Sequence, residues 1–273
     1  MTALTAADAR GPGRSSRVRR GIGRWSGWLV LFGIVFSWEF GTRILETPTY
    51  LLPPPSRILD AAIGDGQKLV GELALTLTEA LGGFVLGSSL AILLAVAVQR
   101  SRTFELTALP PIMVLQSVPI VAVTPVIALV IGRTMMTAVV IAAIICFFPV
   151  MVNALRGLRS VSDESLELMH VLAASPRQIL TRVRIPASLP YLFGGLRVAA
   201  TICLPGAMIA EWLTAAQGLG YYIIDMQVRF RTELVWAGIL VATITSVGLF
   251  TLVTIVERRL VRWHELGHDV GAP

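Results

Sequence analysis

TMMTAVVIAAIICFFPVMVNAL, residues 134–155, contains no charged side chain. An α-helix rises about 1.5 Å per residue, so about 20 apolar residues cross a hydrocarbon core about 30 Å thick. Comparable stretches lie at 27–45, 79–98, 106–131, 190–212 and 234–256. Those at 106–131 and 234–256 are also free of charge. The stretch at 27–45 holds Glu39 and Arg43, and 190–212 holds Arg197 and Glu211. The expected fold class is an all-α membrane protein with about six transmembrane helices. Composition agrees: 55% of the residues are hydrophobic and 15% are charged, where soluble domains carry about 25% charged residues. Cys146 and Cys203 both fall inside apolar runs. They read as small buried residues and not as a disulfide framework or a metal site.

The net charge of +6 comes from arginine, since Lys68 is the only lysine. A pI of about 10.1 can suggest a nucleic-acid partner, but here the arginines lie between apolar runs and mark topology. One side receives Arg10, Arg14, Arg17, Arg19, Arg20 and Arg24, then Arg100 and Arg102. It also receives Arg156, Arg159, Arg177, Arg182 and Arg184, and finally Arg258, Arg259 and Arg262. The other side receives Arg43, Arg57, Lys68, Arg133, Arg229 and Arg231. The richer side is expected in the cytoplasm, with both termini.

No small-residue cleavage site follows the run Trp28–Phe36, so the first span is read as uncleaved. Residues 1–26 read as a disordered basic tail beside anionic membrane lipid. Residues 27–257 read as the transmembrane domain and 258–273 as a second cytoplasmic tail. Outside lie 46–75, held extended by Pro48 and Pro53-Pro54-Pro55 with a short interfacial helix at 56–64, and 213–233. No sizeable soluble domain is left to hold a nucleotide.

Pro110, Pro111, Pro119 and Pro125 crowd the third span, and Pro149 and Pro205 interrupt later ones. Each removes a backbone hydrogen bond, which suits either a static kink or a pathway that opens and closes. Pro119, Pro125, Arg197, Pro205 and Glu211 are the candidates to line such a pathway. Arg197 either snorkels to headgroups or lines a route for an anion. Glu39 is expected to pair with Arg43 at i+4. Glu79 is expected at headgroup level and Glu211 at the external interface. Gly83 and Gly87 have a GxxxG spacing that allows close helix contact, with no functional weight attached.

Residues 156–189 form the largest loop on the arginine-rich side. Ser162 can cap a short helix with Asp163 and Glu164 in its first turn. Ser175-Pro176-Arg177-Gln178 reads as a capping box opening a second helix, which Pro186 ends before Pro190 opens the next span. Leu166, Met169 and Leu172 are expected to face outward together. They suit either a partner's groove or the chain's own helix ends.

Within this loop stand Glu167-Leu168-Met169, then Ala173, then Val183-Arg184-Ile185-Pro186. The spacing resembles the EAA signature of ABC-type importer permeases: E-A-A, three residues, G, nine residues, I-x-L-P. Pro53-Pro54-Pro55-Ser56, Ser117-Val118-Pro119 and Gly218-Leu219-Gly220-Tyr221 are similar to that family as well. The subgroup resembled imports nitrate, aliphatic sulfonates or taurine. Leu168 and Met169 depart from the pattern's Ala, and Ala173 from its Gly. A left-handed Ala173 would cost roughly 1–2 kcal/mol.

The resemblance implies a permease bundle in the bacterial inner membrane with a cytoplasmic coupling-helix loop. That loop, carrying Glu164, Glu167, Leu168, Met169, Leu172, Ala173, Ser175, Val183 and Pro186, would dock into an ABC ATPase subunit. It further implies a permease homodimer and an extracytoplasmic substrate-binding protein. ATP would belong to the partner subunit, leaving this chain without enzymatic activity or cofactor.

His264-Glu265-Leu266-Gly267-His268 matches H-E-x-x-H, in which two histidines bind zinc and the glutamate activates water. Gly267 weakens the helix this needs, and only Asp269 follows as a third ligand. A membrane metalloprotease and an ion-coupled secondary transporter are the competing readings. The latter usually needs more spans and intramembrane charge pairs.

Two outcomes follow. In a background lacking Cys146 and Cys203, a cysteine at Ser162 should resist an impermeant thiol reagent in intact cells and react in inverted vesicles; labelling from outside would overturn the topology. Truncation after Trp263 should leave expression and uptake near normal. Loss of uptake that only zinc-competent variants restore would revive the protease.

Overall fold

The computed structural model describes residues 15–214 and 217–261. In chain order its helices are α1 (Ser15–Ile44), α2 (Pro55–Gly64), α3 (Gly66–Arg100), α4 (Arg102–Leu115), α5 (Ile120–Ile131) and α6 (Met135–Leu158). There follow α7 (Asp163–Val171), α8 (Pro176–Ile179), α9 (Ile185–Thr214), α10 (Leu219–Val228) and α11 (Thr232–Leu260). A π-helical turn, Leu180–Arg184, joins α8 to α9.

Four continuous helices are long and apolar enough to cross a membrane: α3, α6, the run Pro176–Thr214 and α11. α4 and α5 make a fifth span if they are taken as one bent unit. α1 holds the 27–45 candidate and exposes Leu29, Phe32 and Phe36 along its apolar stretch. It is not among the helices that meet the same length and hydropathy standard over the described residues.

Three readings change. The stretch 106–131 is not one continuous helix: α4 and α5 meet at 102°. The break falls at Gln116–Pro119, where Pro119 sits extended (φ −64°, ψ 113°) as the N-cap of α5. Proline also disfavours helical backbone at Val118 before it. Pro110, Pro111 and Pro125 stay inside their helices. Second, α1 begins at Ser15, inside the segment expected to be a disordered tail. Arginine is a good helix former, and a helix already nucleated by its apolar run extends at little cost. Third, Pro186 does not end a helix. The π turn just before it, closed by the Ile185 N–H on Leu180 O, is wide enough to accept a ring that would strike an ordinary turn.

The expected interfacial helix is present as α2, with extended Pro54 as its N-cap and Pro55 at its first position. Glu39 ties it to α1. Its carboxylate accepts from Arg43 Nε (2.7 Å), Ser56 N (3.0 Å) and Ser56 Oγ (2.9 Å).

The core is built from small residues. Ala80, Ala91 and Ala95 of α3, Ala142 and Cys146 of α6, and Ala199, Cys203 and Ala207 of α9 are fully or almost fully buried. A Cβ at Gly83 would come within 2.8 Å of Val139 O, and one at Gly87 within 2.9 Å of Ala143 Cα. The GxxxG pair is therefore the contact that seats α3 on α6. Gly71, by contrast, has open space around it.

Gly87→Ala should lower the thermal stability of the detergent-solubilised chain by about 1–3 kcal/mol, the usual cost of overpacking. Gly71→Ala should be neutral or stabilising by up to about 1 kcal/mol. Tryptophan fluorescence melts of the two variants side by side check this; equal melts would remove the close contact from the account.

Candidate functional site

The 156–189 loop is locally over-determined. Ser162 Oγ accepts from Ser165 N at 3.4 Å, capping α7 as expected. Glu164 in the first turn has its carboxyl held below the usual range by its own backbone N–H and then by the Ser162 hydroxyl. α7 ends in a paired closure: Ala173 N donates to His170 O (2.9 Å) and Ala174 N to Met169 O (3.0 Å). That pattern needs a left-handed residue one past the cap, a place glycine usually fills. Here it is Ala173, with φ +51°. Ser175 then opens α8 with a complete capping box: Gln178 N donates to Ser175 Oγ (3.4 Å) and Ser175 N to Gln178 Oε1 (2.8 Å).

The outward face differs from the one expected. Leu166 and Met169 are half-buried, whereas Leu168, Val171 and Leu172 are 59%, 83% and 66% exposed. Positions i, i+3 and i+4 share one side of a helix, so these three form one apolar edge beside exposed Glu167. That spacing was available in the sequence, but periodicity alone does not say which side of α7 meets its own chain. Val183 and Pro186 are half-buried, at and just after the π turn.

On the opposite side, a network holds the turn between α9 and α10. Thr76 Oγ1 donates to Glu211 Oε1 (2.6 Å) and accepts from Leu219 N (2.7 Å). Gly220 N donates to Glu211 Oε2 (2.6 Å) and Gly218 N to Glu72 Oε2 (2.7 Å). Gly218 has φ +100°, and a Cβ there would overlap the Glu211 carboxylate. A Cβ at Gly220 would lie 2.7 Å from Glu211 Oε2 and from Met208 O. Tyr222 Oη donates to Asp65 Oδ2 (2.6 Å), adding a tie to the start of α3.

Glu211 is thus 1% exposed and Glu79 8% exposed. Neither sits at an interface with headgroups or solvent as expected, because Thr76 and the backbone N–H groups of the glycine turn enclose Glu211.

The pathway candidates are not brought together. Arg197 is paired with Glu257 of α11, which accounts for it without snorkelling. Pro119 caps α5 and Pro125 lies within it. Pro205 lines a groove of about 1030 Å³ between α9, α10 and α11. A second, largely apolar cavity of about 480 Å³ opens at the helix break, with Gln116 and Asn153 its polar side chains. Among the described residues no group of three or more His, Cys, Asp or Glu could hold a metal ion. His264, Glu265 and His268 lie outside the described residues.

Residues 83–263 match the family model described as binding-protein-dependent transport system inner membrane component. The formylaminopyrimidine transport permease of Halalkalibacterium halodurans is 31% identical over 87% of this chain and 95% of its own length. The riboflavin transport system permease of Chloroflexus aurantiacus is 31% identical over 86% of this chain and 88% of its own. A putative aliphatic sulfonates transport permease of Bacillus subtilis is 29% identical over 90% of both. In fold, the chain is similar to a solved amino acid ABC transporter chain, with a TM-score of 0.62 at 18% identity over 72% of this chain and 96% of that one. The chain belongs to the binding-protein-dependent transport system inner membrane components, the integral membrane permeases of ABC transporters.

Proposed function

We propose that this permease couples a partner ATPase to solute import through its 163–186 loop. The observation that carries the reading is the apolar edge of Leu168, Val171 and Leu172, exposed on a loop whose caps fix its shape. An exposed apolar helix face of this kind suits a groove in a partner. On this reading Glu164, Glu167 and Ser175 shape the docking surface, and Met169, Val183 and Pro186 seat it on the permease. Ala173 makes the turn that brings the two helices together.

Hydrolysis of ATP then belongs to the separate subunit, and this chain needs no cofactor. Both termini and the loop lie in the cytoplasm, an orientation supported by the arginine distribution. A substrate-binding protein delivers the solute on the outer side, and two identical permeases enclose the route. The solute is a small organic molecule. Relatives named for a formylaminopyrimidine, for riboflavin and for aliphatic sulfonates support that class more than nitrate. The family assignment leaves the metalloprotease and ion-coupled readings without support.

Leu172→Asp places a charge in an apolar contact, at a cost of several kcal/mol if buried unpaired. It should abolish co-purification of the ATPase and uptake while membrane abundance stays normal. Glu167→Lys should act in the same direction. Ala173→Gly should keep coupling and raise stability by about 1 kcal/mol, since it relieves the left-handed alanine. Pull-down of the ATPase and uptake, both normalised to permease abundance, check the set. Full binding and uptake by Leu172→Asp would refute coupling through this edge, and its disappearance from the membrane would assign the edge to the chain's own fold.

A further inference from the structure

A cavity of about 530 Å³ lies between the end of α3 and the coupling loop, lined among others by Gln99, Arg100, Leu166, His170, Arg177 and Arg184. None of the described residues that line it is a carboxylate. The ion pairs of the described residues use Arg43, Arg102, Arg159, Arg197, Arg229 and Arg231. Arg100, Arg177 and Arg184 have no such partner among the described residues. Three arginines lining one cavity without a counter-charge among the described residues leave it positive, and planar forks of donors match phosphate oxygens. A ligand that carries a phosphate would supply the missing counter-charge.

The cavity's position selects the source of the phosphate. Arg100 is the last residue of a membrane-crossing helix. Leu86, Leu93 and Arg100 recur at seven-residue intervals, which keeps them on nearly one side of α3. Leu86 is 45% exposed and Leu93 68% exposed. An acyl chain lying along these leucines brings its headgroup to Arg100. We propose that the cavity binds the phosphate of an anionic phospholipid, of the phosphatidylglycerol type, and that this lipid bridges α3 to the coupling loop. The cytoplasmic placement of the lipid rests on the orientation proposed above; the site itself rests on the cavity.

Native mass spectrometry of the full-length chain tests this, in micelles doped with phosphatidylglycerol or with phosphatidylcholine. The wild type should retain phosphatidylglycerol in preference to phosphatidylcholine. Arg100→Gln/Arg184→Gln should weaken that retention roughly 30-fold, about fivefold for each basic residue lost. Arg100→Lys/Arg184→Lys, with unchanged helical circular dichroism, should keep most of it, which separates charge from folding.

Equal retention of the two lipids, or undiminished retention by the glutamine pair, would overturn the proposal. So would displacement of the lipid by inorganic phosphate alone, which would make this a soluble-anion site. Loss of ATPase co-purification in the glutamine pair with lipid retention intact would assign the arginines to the ATPase contact and overturn it too. Lipid retention is read without the ATPase. If Leu172→Asp leaves coupling intact while phosphatidylglycerol is still selected, the coupling reading falls and this site stands.

Discussion

The close approach of α6 to α3 on one side and α9 on the other is the contact on which the remaining structure depends. Between helices in lipid there is little hydrophobic drive, so association rests on van der Waals packing and on backbones that can come near. Gly83 and Gly87 supply that on α3. Gly195 does so on α9, where a Cβ would stand 2.8 Å from Pro149 O. Cys146 belongs to the same design: its Sγ lies 3.6 Å from Ala199 O, and both cysteines are free and buried. At the end of α6, a Cβ on Gly157 would come within 2.8 Å of Ser188 O. That contact pins together the two ends of the 156–189 loop. Short helices such as α7 and α8 are not stable alone; fixed ends and satisfied caps let them persist here.

The prolines show how local chemistry and packing divide the outcome. All of them remove a donor, yet among the described span helices the sharp bend falls at Gln116–Pro119. Pro149 sits within α6, which is buried along much of its length and clamped between two neighbours. α4 has no buried residue, so nothing holds it collinear with α5. The same residue type is absorbed where packing is dense and bends the chain where packing is sparse.

This division explains what could be read in the sequence. Features decided within a few residues were legible: the capping box at Ser175, the cap at Ser162, the Glu39–Arg43 pair, α2 behind its prolines, and the apolar runs. A turn that needs glycine was legible too, since the family pattern puts Gly where Ala173 adopts a left-handed conformation. What depends on distant partners was not. Nothing near Glu211 in the chain announces Thr76, 135 residues away. Nothing near Arg197 announces Glu257, 60 residues away. The exposed edge of α7 was misassigned for the same reason, because Leu166 and Leu168 differ only in which one the rest of the chain covers.

The position of Glu211 gives the long helix a mechanical meaning. Pro176–Thr214 is a continuous helical run of 39 residues, about 58 Å at the ordinary rise per residue. One end is the second helix of the 156–189 loop; near the other stands Glu211, held by Thr76 of α3 and the Gly220 N–H. Beside it Glu79 leaves one buried carboxyl oxygen without a partner, so the packing there is polar and incompletely satisfied. Buried polar clusters of that kind hold a single geometry only while every neighbour stays in place. On the proposed reading, a displacement of the loop by the ATPase would travel along this helix to a set of short hydrogen bonds at its far end. The glycines at 218 and 220 leave no side-chain bulk to cushion a shift there. On that reading, the helix behind the loop's capping box leads to the Glu211 network, and a shift at one end of Pro176–Thr214 would be felt at the other.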